Sequence, residues 1–93
     1  MIYEWMKNKR PRASFLKRRP NEDMLIIESK DLNIFYLNKT AAYFVSLSDG
    51  NHSIDDIKNK MLEKYDVSVE ELENDLVETV RDLQWKSLIV LEA

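Results

Sequence analysis

Apolar residues recur at helical spacing in the second half of the chain and gather in short strand-like runs in the first. Ile54, Ile57, Met61, Leu62 and Tyr65 fall at offsets 0, 3, 7, 8 and 11, so they share one helix face. Ser53 stands before this stripe with Asp56 at the third helical position, close to a capping box. Ser68-x-x-Glu71 is a full capping box and predicts a longer helix over Val69–Lys86, with Leu72, Leu76, Val80 and Leu83 inward. Upstream, a shorter helix is predicted over Lys39–Ser48, capped by Asn38 or Thr40, with Ala41, Phe44, Val45 and Leu47 inward. Asp49-Gly50 should end it, the glycine standing where a left-handed residue closes a helix.

The first half reads as strands. Met24–Ser29 and Leu32–Leu37 are rich in strand formers and flank a two-residue break, Lys30-Asp31, which predicts a hairpin with Asp31 as the left-handed candidate. Pro11 and Pro20 bracket a basic stretch in which Ala13–Lys17 reads as an edge strand with Phe15 as its apolar contact. Leu88–Leu91 is an apolar tail that packs on the sheet or adds a strand. Residues 1–10 show no period and are set apart as an N-terminal extension of a domain spanning 11–93. Ile2, Tyr3, Trp5 and Met6 are costly to leave in water, so the extension should dock on the body or on a second chain as a homodimer contact. Three short strands cannot bury both faces of a sheet, so the helices must cover one side. The expected class is α+β: three N-terminal strands followed by three α-helices, a winged-helix-like arrangement.

Composition narrows the chemistry. The 93 residues make one domain with a small core, which leaves little room for a deep catalytic cleft. There is no cysteine, one histidine (His52) and one glycine (Gly50). These counts exclude thiol catalysis, multi-histidine metal sites and glycine-rich phosphate loops. His52 falls in a connection before a helix, the acids lie on solvent faces of helices, and no catalytic order of Ser, His and Asp is visible. A non-enzymatic binding module is expected, without cofactor, metal or membrane span, and in the cytoplasm. Charge is uneven: residues 1–20 hold seven bases against Glu4, and the remainder holds seven bases against sixteen acids. A basic arm admits a nucleic-acid contact, and its simpler reading is a strand edge protected by charge. A winged helix that reads DNA must neutralise phosphates with its recognition helix. The longest predicted helix carries six acids against Arg81 and Lys86, which disfavours that role.

The stretch LNKTAAYFVSLSDGNHSIDDI, Leu37 to Ile57, resembles the signature of the PqqD family. The positions that carry the likeness are Leu37, Asn38, Ala41, Phe44, Leu47, Asp49, Gly50, Ser53 and Ile57, continuing through Tyr65, Val67, Asp75, Leu83 and Leu88-Ile89. The resemblance spans roughly 11–91 and leaves Met1–Arg10 outside. It implies three strands followed by three helices, and a recognition element for ribosomally made, post-translationally modified peptides. Such a domain binds the leader of a precursor peptide and presents the rest to a modifying enzyme, often a radical S-adenosylmethionine enzyme. On this reading the strand of Asn33, Ile34, Phe35, Tyr36 and Leu37 borders the last helix, and an extended leader adds to its edge beside Asp75, Glu78, Thr79 and Asp82. Alternation puts Ile34 and Tyr36 on one face and Asn33, Phe35 and Leu37 on the other, and either set could line the groove. The alternative reading is a winged-helix nucleic-acid-binding or regulatory protein; a third is an oligomeric structural subunit.

Overall fold

The chain folds in the order α1 (Ile2–Met6), β1 (Arg10–Ala13), β2 (Lys17–Asn21), β3 (Met24–Glu28), β4 (Ile34–Leu37), α2 (Lys39–Ser46), α3 (Ile54–Lys64), α4 (Val69–Trp85) and β5 (Ile89–Glu92). The computed structural model describes residues 2–21 and 24–93, so Met1 of the extension lies outside the described residues. The strands form two antiparallel sheets, β2-β3-β4 and β1-β5. In the larger sheet Leu25, Ile27 and Leu37 point into the core, and Ile34 and Tyr36 point out. Helices cover only the inner face. Phe44 and Val45 of α2, Ile54, Ile57 and Met61 of α3, and Leu72, Leu76, Val80 and Leu83 of α4 complete one core. The helix starts follow their sequence signals: Asn38, Ser53 and Ser68 accept hydrogen bonds from Ala41, Asp56 and Glu71 N–H, and Asp56 returns the bond to Ser53.

This is a mixed α/β architecture with more elements than three strands and three helices. The predicted edge strand Ala13–Lys17 is instead the junction between β1 and β2, which belong to different sheets. Ala13 N–H binds Ser48 O, Ser14 N–H binds Leu88 O and Leu16 N–H binds Glu28 O, so the chain crosses from one sheet to the other within these residues. The apolar tail does add a strand: β5 pairs with β1 from Arg10↔Glu92 to Ala13↔Ile89. The hairpin break is also longer than Lys30-Asp31. Register runs from Leu25↔Leu37 to Glu28↔Ile34, leaving residues 29–33 as the turn. Leu32, not Asp31, takes the left-handed conformation at φ 68. The reason is Ser29, whose buried hydroxyl accepts the Asn33 N–H while its backbone N–H binds Asn33 O.

Gly50 is left-handed as expected, at φ 81, but it does not close α2, which is capped at Leu47. It lies three residues later, where its N–H donates to Pro11 O and tethers the loop to β1. A Cβ at Gly50 would also meet the Arg12 guanidinium. That group ends a flexible side chain and can swing away, so the backbone conformation carries most of the penalty. We predict that Gly50→Ala lowers stability by about 1 kcal/mol and Gly50→Val by more, read from urea unfolding. No loss in either variant would refute the account.

The extension forms a short helix that docks on its own chain. Tyr3 and Met6 are buried against the core, while Ile2 and Trp5 stay exposed. The Tyr3 hydroxyl donates to Asp55 Oδ1 at 3.0 Å, and Lys58 Nζ bonds both Asp55 (3.1 Å) and Glu73 (3.0 Å). The same ammonium lies 5.2 Å from the Tyr3 ring centroid. One cation thus ties α3 to α4 and supports α1. Burial alone would raise the Asp55 pKa, but hydrogen bonds from Lys58 and Tyr3 bring it below its ordinary 3.8. Burial would lower Lys58, but its bonds to Glu73 and Asp55 raise it above 10.5. A depressed carboxyl contributes stability above its unfolded pKa and loses it as pH falls through the folded one. The stability advantage of wild type over Asp55→Asn should therefore be full at neutral pH and close below pH 3.8. Urea unfolding across a pH series checks this, and a constant difference would refute it.

Candidate functional site: the β4 edge and the α4 groove

The two edges of the larger sheet differ in chemistry. β2 presents Lys17, Arg18, Arg19 and Pro20, residue types that discourage strand pairing. β4 presents Ile34, Phe35, Tyr36 and Leu37, with no charge and no proline. The backbone phase of β4 follows from one bond. Ser29 N–H donates to Asn33 O, and bonded and non-bonded pairs alternate in an antiparallel ladder. Ile27↔Phe35 and Leu25↔Leu37 are then the bonded pairs. The N–H and C=O groups of Ile34 and Tyr36 therefore point away from β3, toward the open edge.

The side chains of β4 divide cleanly. Leu37 is 2% exposed and belongs to the core, so its side chain is closed to a ligand. Phe35 is half-buried and packs against the core. Ile34 and Tyr36 are exposed on the opposite face of the sheet, and Asn33 is exposed in the turn. The five strand residues therefore do not line one groove.

The predicted residues of the last helix do come together. Asp75, Glu78, Thr79 and Asp82 line an open cavity of about 410 Å³ with Asn38, Thr40 and Ala41. The helical repeat puts the four on one face, and a single residue, Asn38, separates the end of β4 at Leu37 from α2, which brings its first turn opposite them. The cavity is acidic. Asp82 is paired with Lys86 at 2.8 Å, whereas Asp75 and Glu78 form no ion pair among the described residues. Lys86 Nζ also lies 5.3 Å from the Phe35 ring centroid, a cation–π contact joining β4 to the groove wall. The sequence marks Asn38 as a candidate cap and as part of the family likeness and Thr40 only as a candidate cap, and it does not mark Lys86 as part of this site. The Asp82/Lys86 spacing of four residues was the available signal.

Residues 24–89 match the family model described as Coenzyme PQQ synthesis protein D (PqqD). The chain belongs to the PqqD family. The match includes β3, β4 and the three longer helices, and hence both the β4 edge and the acidic groove; α1, β1 and β2 lie outside it. Among solved structures, the chain is similar to TbiB1 in complex with the TbiA(beta) leader peptide. The two share 19% sequence identity with a TM-score of 0.71, over 82% of this chain and 93% of that one. At that identity the likeness shows a common fold. No curated protein sequence matches the chain.

The division of β4 can be tested through stability. Leu37→Ala should cost about 2–5 kcal/mol, because it opens a cavity in the core. Tyr36→Ala should cost about 0.5 kcal/mol or less, as an exposed substitution. Denaturant midpoints for the two variants check this, and comparable losses would mean that both side chains are packed.

Proposed function

We propose that the chain binds the leader region of a ribosomally synthesised precursor peptide by strand addition to β4, and presents that peptide to a modifying enzyme. The observation that carries this is the uncharged β4 edge, with the backbone groups of Ile34 and Tyr36 turned outward beside the α4 groove. Membership of the PqqD family supports it, and the leader peptide held by the structurally similar TbiB1 agrees with it. A strand laid on β4 gains main-chain hydrogen bonds, and its alternate side chains enter the groove or lie over the outer face. Asn33, Ile34, Phe35, Tyr36 and Leu37 then contribute as an edge, Leu37 through its backbone alone. Asp75, Glu78, Thr79 and Asp82 wall the groove and select lysine or arginine beside apolar anchors. Exposed ion pairs are worth about 0.2–1 kcal/mol each, so charge tunes specificity while apolar anchors supply most of the affinity.

The β2–β4 sheet with α2–α4 is read here as the winged-helix-like unit, with α1, β1 and β5 added around it. The chain itself carries no catalytic role; the modifying enzyme, a radical S-adenosylmethionine enzyme on the family reading, supplies the chemistry. Among the described residues no helix is long and apolar enough to cross a membrane, and the cysteine-free sequence fits the cytoplasm. A homodimer through the extension would use Ile2 and Trp5, which α1 leaves exposed. No observation favours the nucleic-acid alternative, since the acids of α4 oppose a phosphate backbone.

Adding the cognate leader to isotope-labelled protein should shift amides at 32–38 and 74–86. Asp75→Asn and Glu78→Gln should each weaken binding, more at low salt than at high salt. Asp82→Asn should matter less, because Lys86 already neutralises that carboxylate. Shifts gathered instead along α3 would refute the proposed groove.

A further inference from the structure

The outer face of the β2-β3-β4 sheet extends across β2 and β3, well beyond the β4 edge proposed for the leader. No helix covers it. Register sets two cross-strand rows on this face, Lys17–Glu28–Ile34 and Arg19–Ile26–Tyr36. Ile34 and Tyr36 are 59% and 60% exposed, and Met24, at 41%, extends the apolar surface along β3. Lys17, Arg18, Arg19, Ile26, Glu28 and Ile34 line a shallow cavity of about 330 Å³ there. Positive charge continues round the β2 edge, where Arg18 also lines a second cavity with Lys64, Tyr43 and Tyr65. Lys17, Arg18 and Arg19 form no ion pair among the described residues, in a chain whose net charge is −3. Three bases against one acid, Glu28, stand among the lining residues, so the rim is net basic. A contiguous apolar surface with a charged rim marks an interaction site, unlike singly scattered apolar residues.

We propose that this outer sheet face docks a surface of a partner protein that is apolar at its centre and acidic at its rim, the partner being the peptide-modifying enzyme. The inference rests on the reading of the chain as a peptide carrier. Charge complementarity decides for an acidic surface. The apolar centre and the acids of α4 decide for protein over nucleic acid, since a duplex gains nothing from Ile26 and Ile34 and is repelled at range by the body. The geometry also gives presentation a physical basis. Ile34 and Tyr36 belong to the same strand whose edge takes the peptide, so an enzyme seated on this face lies directly alongside it.

The test uses the full chain, isotope-labelled, titrated with a random copolymer of glutamate and tyrosine and, separately, with a DNA duplex of equal charge. The copolymer should shift amides at 17–19 and 26–28, on strands outside the 32–38 and 74–86 set expected for the leader. Arg19→Glu and Lys17→Glu should each weaken it about tenfold, and Ile34→Ser should weaken it in high salt as well as low. Absence of shifts on this face overturns the proposal, as does duplex binding as tight as that of the copolymer. Self-association of the protein alone through these residues overturns it too, by making a second copy the occupant. Asp75→Asn and Glu78→Gln should leave copolymer binding unchanged. Loss of sheet-face binding with leader binding intact therefore removes this inference alone, and the converse removes only the leader reading.

Discussion

A three-stranded sheet has two faces, and this chain has helices enough to cover one. That constraint organises the molecule. Burying a leucine or isoleucine is worth about 1.5–3 kcal/mol, so Leu25, Ile27 and Leu37 together fix which side of β3 and β4 turns inward. A slip of one residue would send all three into water and bring Ile26 and Tyr36 into the core. Core burial thus sets the strand register. The register in turn sets which backbone groups of β4 face the open edge and which side chains the outer face displays. The open β4 edge and the uncovered outer face are two results of one packing decision.

What could be read from the sequence divides along the range of the interactions involved. The starts of α2, α3 and α4 were legible because a cap is a contact between residues three apart, as with Ser53 and Asp56. The inner faces of α3 and α4 were legible because the helical period is local. β1 was not: Arg-Pro-Arg-Ala has no apolar alternation, and it becomes a strand only because Ile89–Glu92, some eighty residues away, pairs with it. The Ser29 turn was missed because a buried hydroxyl, rather than a glycine, closes it. The end of α4 hides its signal similarly. Ser87 is left-handed at φ 60, its N–H binds Gln84 O, and Leu88 N–H binds Leu83 O, a Schellman ending without glycine.

The site shows the same division. Asp75, Glu78, Thr79 and Asp82 could be placed together because they share a helix. Whether Ile34 and Tyr36 or Phe35 and Leu37 faced inward could not be decided, because both pairs are apolar. The cross-strand partners settle it: Leu37 sits opposite Leu25 and Phe35 opposite Ile27, both buried positions. Burial of Tyr3 and Met6 shows that the extension is part of the fold. The Lys58 ammonium, bonded to Asp55 and Glu73, adds a polar anchor where α1 meets α3 and α4.

The alternating phase of β4 has a consequence for any strand that would pair with its edge. Only Ile34 and Tyr36 turn their amides outward, so the edge offers hydrogen bonds at intervals of two residues and is blind to the side chains of whatever pairs with it. A guest strand displaced by two residues makes the same main-chain bonds. The backbone therefore supplies adhesion with a repeating, ambiguous ruler, and the side chains around it must choose the frame. Sequences that keep one well-placed anchor could drift at the remaining positions and still be held, which makes such an edge a permissive grip on a diverging partner.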